Sequence, residues 1–204
     1  MVDGSGTGEG MRRLYTGLAA RVRPDRETTP GRRSLAIFAF ANGTLSIAIV
    51  AVAAAVVDEP LVFPSLGPTA YLLSVAPTSR TTSPRNIVVG HLLGVAGGFV
   101  ALVVFGLTNI GSAFSEGMTL PRAGAAALSL GLTAGLMTWL DADHPPAGAT
   151  TLIVSLGILT TPNQLTALML AVVFLAYQGV AVNRLAGLHV PLWSTRTSNA
   201  SKGC

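Results

Sequence analysis

The chain has 204 residues, of which 50% are hydrophobic and only 11% are charged; an ordinary soluble domain carries roughly twice that charge fraction. Seven of the 13 Lys and Arg lie before residue 34, so the basic balance belongs to a leader and gives no support to a nucleic-acid-binding fold. The one cysteine, Cys204, is the last residue, which excludes a disulfide framework and a cysteine-based metal cluster.

This composition predicts an all-α integral membrane protein with one domain over 34–190, between a basic leader (1–33) and a short polar tail (191–204). Residues 1–10 are Gly-rich and polar, the pattern of a disordered segment. Residues 11–23 suit either a short basic helix on the anionic leaflet or a flexible positive tail. The first apolar stretch begins only at Ser34, after a long polar leader, so no secretory signal peptide is expected.

Four stretches, 34–57, 86–108, 122–140 and 165–186, are long enough to span a hydrocarbon core as helices. Two further apolar segments, 63–75 and 144–159, are too short, and each opens with proline and glycine. The two match each other: Pro64, Gly67, Thr69 and Ser74 recur at an offset of 81 as Pro145, Gly148, Thr150 and Ser155. Acids precede both, Asp58 and Glu59 before the first and Asp141 and Asp143 before the second. The order long helix, broken segment, long helix therefore occurs twice, which suggests an internal duplication. A short segment either crosses or turns back. An extended stretch of five residues plus a twelve-residue helix covers about 33 Å, enough to cross. Crossing also places Arg80, Arg85, Arg184, Arg196 and Lys202 on the side of the basic leader, with only Arg122 opposite, which fits the positive-inside rule better than the re-entrant alternative. Three crossings per half make the halves inverted repeats, and the leader cytoplasmic in a multi-pass plasma-membrane protein.

Gly90, Gly94 and Gly98 recur every four residues, as do Gly131 and Gly135, which lets helix backbones approach closely and permits a homodimer. Gly67-Pro68-Thr69 reads as a helix start, with glycine as N-cap and proline first in the helix; the matching start is Gly148-Ala149-Thr150. The prolines before each start, Pro145 and Pro146 among them, are expected to hold the chain extended. Two helix starts facing each other at mid-membrane would present free amides and about one positive charge in total, suited to a small monovalent anion. Ser65, Gly67, Thr69, Gly148 and Thr150 are the residues expected to hold it. His144 is either a group that adds charge or passes a proton, or part of an interfacial polar cap with Asp141 and Asp143. His91, inside a long helix, is either functional or a helix–helix hydrogen bond. Arg85, which with Asn86 opens that helix, either snorkels or draws anions to an inner vestibule. Three scattered histidines make no zinc site, and no phosphate loop or paired carboxylates occur within a broken segment, so no cofactor is expected.

The chain resembles the HPP family of integral membrane proteins. The resemblance rests on His144-Pro145-Pro146-Ala147-Gly148-Ala149-Thr150, on Phe63-Pro64-Ser65-Leu66-Gly67-Pro68-Thr69-Ala70, and on Pro84-Arg85-Asn86 with Gly90-His91; it covers about residues 34 to 186. It implies four transmembrane helices and, because chloroplast and cyanobacterial members are linked to nitrite transport, a transporter of nitrite or a similar anion. The expected function is a secondary transporter or channel for a small monovalent anion, nitrite first, and not an enzyme. Two rivals have weaker support: a non-transporting module, partner subunit or sensor that docks through the basic leader, and a membrane enzyme using His144 with Asp141 or Asp143.

Overall fold

The computed structural model describes residues 32–57, 62–185 and 190. The expectations placed on the leader through residue 31, on Asp58 and Glu59, and on the tail from 191 onward lie outside the described residues. Seven α-helices follow in order: α1 (Arg32–Val57), α2 (Leu66–Val75), α3 (Pro84–Val104), α4 (Ala113–Glu116), α5 (Leu120–Trp139), α6 (Ala147–Ser155) and α7 (Pro162–Leu185). A short 3-10 turn, Arg80–Thr82, precedes α3. All helix and no strand occurs among the described residues.

All four long stretches are helical, but only α1, α3 and α7 are both long and apolar enough to cross a membrane. The helix α5 has the length, with 20 residues, and falls short in apolarity because its buried face carries Arg122, Ser129 and Thr133. The outward surface is apolar: Phe40, Val56, Phe99, Val103, Leu170 and Tyr177 all stand exposed, as lipid contact requires.

Helix ends follow local chemistry. Helix α3 begins two residues earlier than hydropathy indicates, because the Ser83 side chain accepts from the Asn86 N–H and Pro84 takes the first helical position. It stops at Val104 and not at 108, because Gly106 turns left-handed at φ 66° and Leu107 N–H donates back to Leu102 O. Thr119 caps α5 in the same way, accepting from Arg122 N–H.

The starts of α2 and α6 differ from expectation. The caps are Ser65 and Pro146, not Gly67 and Gly148, and both caps have helical backbone angles. The prolines stand in turns and do not extend the chain: Ala147, Gly148 and Ala149 N–H donate to His144, Pro145 and Pro146 carbonyls at 2.9, 3.0 and 3.1 Å. A tight i-to-i+3 turn has used the amides that a free helix start would offer.

The second short segment runs from one end of α5 to the other. Asp141 follows the end of α5, where Arg80 and Arg85 meet it. Ser155 and Gly157 lie against Arg122, in the first turn of α5. The segment 141–157 therefore runs back along the whole of α5, about 30 Å at 1.5 Å per residue. Helix α2 ends beside the last turns of α7, where Asn183 donates to Leu73 O at 3.0 Å and Leu73 fills the space over Gly179. The ends of α2, α5 and α7 thus share one end of the layer with the start of α6. Helix boundaries repeat at nearly constant offset: Leu66 and Ala147 are 81 apart, as are Val104 and Leu185.

The tightest packing joins α3 to α6. A Cβ on Gly90 would stand 2.8 Å from His144 Cβ, on Gly94 2.8 Å from Ala147 O, and on Gly98 2.6 Å from Val154 Cβ. Gly97 turns to α5, 2.7 Å from Thr133 Oγ1 by the same measure. Gly131 and Gly135 do not join this packing: both face outward, with nothing within 4 Å of an added Cβ.

Candidate functional site

Close contact between α3 and α6 sets His91 and His144 side by side, with ring centroids 5.0 Å apart and planes tilted by 54°. Both are fully buried, and so are Thr69 and Thr150. Thr69 Oγ1 lies 3.1 Å from His91 Nε2 and 3.0 Å from His144 Nε2. Thr150 Oγ1 lies 2.6 Å from His91 Nδ1. The two threonines that occupy equivalent places in the repeated motif thus hold one imidazole from opposite sides, one from each short helix.

The direction of these bonds follows from one atom. His144 Nδ1 is 2.7 Å from Thr81 O, a carbonyl that can only accept, so Nδ1–H donates. With one proton per ring, His144 Nε2 then accepts from the Thr69 hydroxyl. Thr69 Oγ1 in turn accepts from His91 Nε2–H, and His91 Nδ1 accepts from the Thr150 hydroxyl. The chain Thr150, His91, Thr69, His144, Thr81 C=O leaves no ring nitrogen unpaired, as a buried network demands. The second acceptor in reach of Thr69, Ser65 O at 3.3 Å, is the longer contact.

Other site candidates fall around this core in unequal ways. Ser65 is buried and its hydroxyl has no partner. Pro146 is buried in the α6 cap, whereas Pro145 is exposed. Gly67 is exposed, with open space over it, and Gly148 faces Leu130 at 3.4 Å. Neither glycine borders the imidazoles, and the amide of Gly148 is already bonded. The expected amide cradle at α6 is thus replaced by hydroxyls and imidazoles.

Arg85 and Asn86 tie the start of α3 to the α5–α6 loop. Arg85 donates to Leu140 O at 3.0 Å and to Asp141 O at 2.8 Å, and Asn86 donates to Asp143 O at 3.3 Å. Arg85 therefore satisfies carbonyls left over at the end of α5. Arg80 forms an ion pair with Asp141, which sits at φ 54°. This pair is 33% and 69% exposed, so solvent screens it. Arg85→Ala is accordingly expected to cost about 2 kcal/mol, from lost hydrogen bonds to a charged donor, and Asp141→Asn less than about 1 kcal/mol. Melting of the purified variants in detergent checks the ranking; equal losses would show that the ion pair, and not the arginine clamp on carbonyls, holds the loop.

Four further buried or bonding residues have no sequence signature that points to them. Thr81 acts through its backbone oxygen. Thr133 and Thr151 pair by hydroxyls at 3.0 Å beside Thr150. Arg122 reads in sequence only as a topological marker, yet it is 2% exposed. Among the described residues no group of three His, Cys, Asp or Glu side chains is placed to hold a metal ion.

The chain is similar to a transmembrane protein of Dictyostelium discoideum, with 32% identity over 94 residues that cover 46% of this chain and 30% of that protein. It thus spans less than a third of that relative's length. No solved structure matches it. The model of the HPP transmembrane region matches residues 28–191, which takes in every described helix and both broken segments: the chain belongs to the HPP family of membrane proteins.

Proposed function

We propose that the protein is a transporter or channel for a small monovalent anion, with nitrite the leading candidate, and that the anion binds between the two short helices at Thr69, His91, His144 and Thr150. The observation that carries this reading is the grip on His91 by two motif-equivalent threonines from oppositely directed helices. An internal inverted repeat accounts for that arrangement and for the offset of 81 in helix boundaries. Ionisable side chains are rare within membrane domains, and a buried imidazole pair there points to a role for a passing ligand or proton. A proton added to either ring supplies a further donor and a positive charge, and the unpartnered Ser65 hydroxyl supplies another. An anion and a proton are thus suited to travel together, with the two halves rocking about the site. Arg80, Arg85 and Arg184 gather at one end, which supports a reading of that end as the cytoplasmic one in a plasma-membrane protein. The outward glycines of α5 leave room for a homodimer.

Nitrite flux into liposomes holding the purified full chain tests this. The expected result is flux that rises when the proton gradient is directed with the anion and falls when it is reversed. No flux of nitrite, nitrate, formate or chloride under any gradient would overturn the transport reading.

A further inference from the structure

Arg122 is the largest fully buried side chain among the described residues, at 2% exposure, and the transport site does not use it. Its guanidinium donates only to neutral carbonyls: Nη1 to Ser155 O at 3.3 Å, and Nη2 to Gly111 O and, at 3.4 Å, to Ile110 O. Among the described residues the one ion pair is Arg80–Asp141, at the opposite end of α5; the exposed Glu116 carboxylate stands against Gly111, one of the carbonyl partners of Arg122, but does not pair with the guanidinium. A buried cation without a counter-ion is expensive. The position adds to the charge, because Arg122 stands in the first turn of α5, where the helix dipole is itself positive. The carbonyl end of α6 and the exposed Glu116 offset part of this, while the guanidinium itself stays buried and without an ion pair. Three carbonyls use three of the five guanidinium N–H groups, which leaves Nε–H and one Nη1–H to donate elsewhere.

A second observation lies on the residue that Arg122 grips. Ser155 is fully buried, and its hydroxyl has no hydrogen-bond partner. Gly157, at φ 77°, lets the backbone approach the guanidinium closely: a Cβ there would lie 2.9 Å from Nη1 and 3.3 Å from Cζ. The cover over this spot is thin, since Ile110 and Gly111 are exposed. A buried polar stripe on α5, Arg122, Ser129 and Thr133, joins the spot to the Thr133–Thr151 pair and so to Thr150. Ser155 follows Thr150 by about 8 Å along α6.

We infer that Arg122 and Ser155 form a second anion-binding station, for a small monovalent anion, at the end of the protein opposite the arginine-rich face. It rests on the transport reading for its role, as the station an anion meets on the outer side of the histidine pair; its binding stands apart from flux. The guanidinium supplies the charge and two free N–H donors, and the Ser155 hydroxyl a third.

The test is melting of the purified full chain in detergent, titrated with sodium nitrite and sodium chloride against sodium isethionate at constant ionic strength. Wild type is expected to melt higher as nitrite or chloride replaces isethionate. Because the Ser155 hydroxyl has no partner in the fold, Ser155→Ala should melt as wild type in isethionate yet need roughly fivefold more nitrite or chloride for the same shift, the loss expected of one hydrogen bond. Arg122→Lys keeps the charge but not the planar donors and should weaken the response further; Arg122→Gln should remove it or fail to fold, and the other two variants then decide. Thr69→Val, which breaks the histidine chain, should keep the Arg122-dependent part. A response that Ser155→Ala and Arg122→Lys leave unchanged but Thr69→Val abolishes overturns this station and leaves the central site standing. A response lost in Ser155→Ala and intact in Thr69→Val supports the station and removes the anion from the histidines. No response to either anion overturns the station.

Discussion

Gly94→Leu is expected to abolish the folded protein, and Gly131→Leu to leave it intact, although both glycines belong to four-residue repeats on long helices. The contrast rests on what each faces. A Cβ at 94 would stand 2.8 Å from Ala147 O and 3.3 Å from Thr151 N, both backbone atoms of α6. Backbone in a helix start cannot move aside as a side-chain tip can, so α3 and α6 must separate. Separation loosens the 2.6 Å contact between His91 and Thr150 and the packing of Gly98 on Val154. Overpacking a tight core costs about 1–3 kcal/mol in ordinary cases, and four added carbons against a carbonyl lie at or above the upper end of that range. At 131 nothing lies within 4 Å of the new Cβ, and replacing glycine within a helix gains up to about 1 kcal/mol in propensity. Size-exclusion chromatography and melting in detergent separate the outcomes: Gly94→Leu should aggregate or melt at least about 10 °C lower, whereas Gly131→Leu should elute and melt as wild type. A folded Gly94→Leu with native melting would mean that α3 and α6 do not pack this closely.

The same contrast marks what a sequence conveys. Apolar length locates α1, α3 and α7, because hydropathy measures what lipid demands of a segment, whatever its neighbours, whereas α5 is helical where expected but falls short in apolarity. The matched Pro, Gly and Thr positions locate both short helices, and Thr69, His91, His144 and Thr150 are legible as the polar residues of an apolar chain. Their arrangement is not. The chain of bonds takes its direction from Thr81 O, a backbone atom that every residue type carries. The starts of α2 and α6 differ from the expected Gly-Pro and Gly-Ala caps because proline fixes only φ: Pro146 takes ψ −21° and turns into the helix, which closes off the amides an anion would have used. Spacing alone gives Gly94 and Gly131 the same meaning, since which face of a helix meets its neighbour depends on partners far along the chain. Arg122 counts only as a charge on the wrong side until its burial is seen.

Thr69→Val tests the center of the site. Valine keeps the shape of threonine and removes one hydroxyl, and among the described residues that hydroxyl alone meets both His91 Nε2 and His144 Nε2. Two buried ring nitrogens lose their partner at once, each at a cost of about 1–3 kcal/mol if nothing replaces it. The fold is expected to survive, because His91 keeps Thr150 and His144 keeps Thr81 O. Transport is not, because any proton that passes between the rings and any anion that bridges them must use the Thr69 position. Nitrite flux should fall by at least about tenfold, the effect of about 1.4 kcal/mol on a barrier. Thr69→Ser restores the hydroxyl without the methyl group and should recover most of the flux, which separates a loss of hydrogen bonding from a loss of packing. Nitrogen NMR of labelled histidine reads the bonds directly: His144 should keep its proton on Nδ1 in both variants, since Thr81 O dictates it, while His91 should stay with its proton on Nε2 only where residue 69 carries a hydroxyl. Wild-type flux in Thr69→Val would place the transport path away from the imidazole pair, and a His144 protonated on Nε2 would reverse the direction assigned to the whole chain.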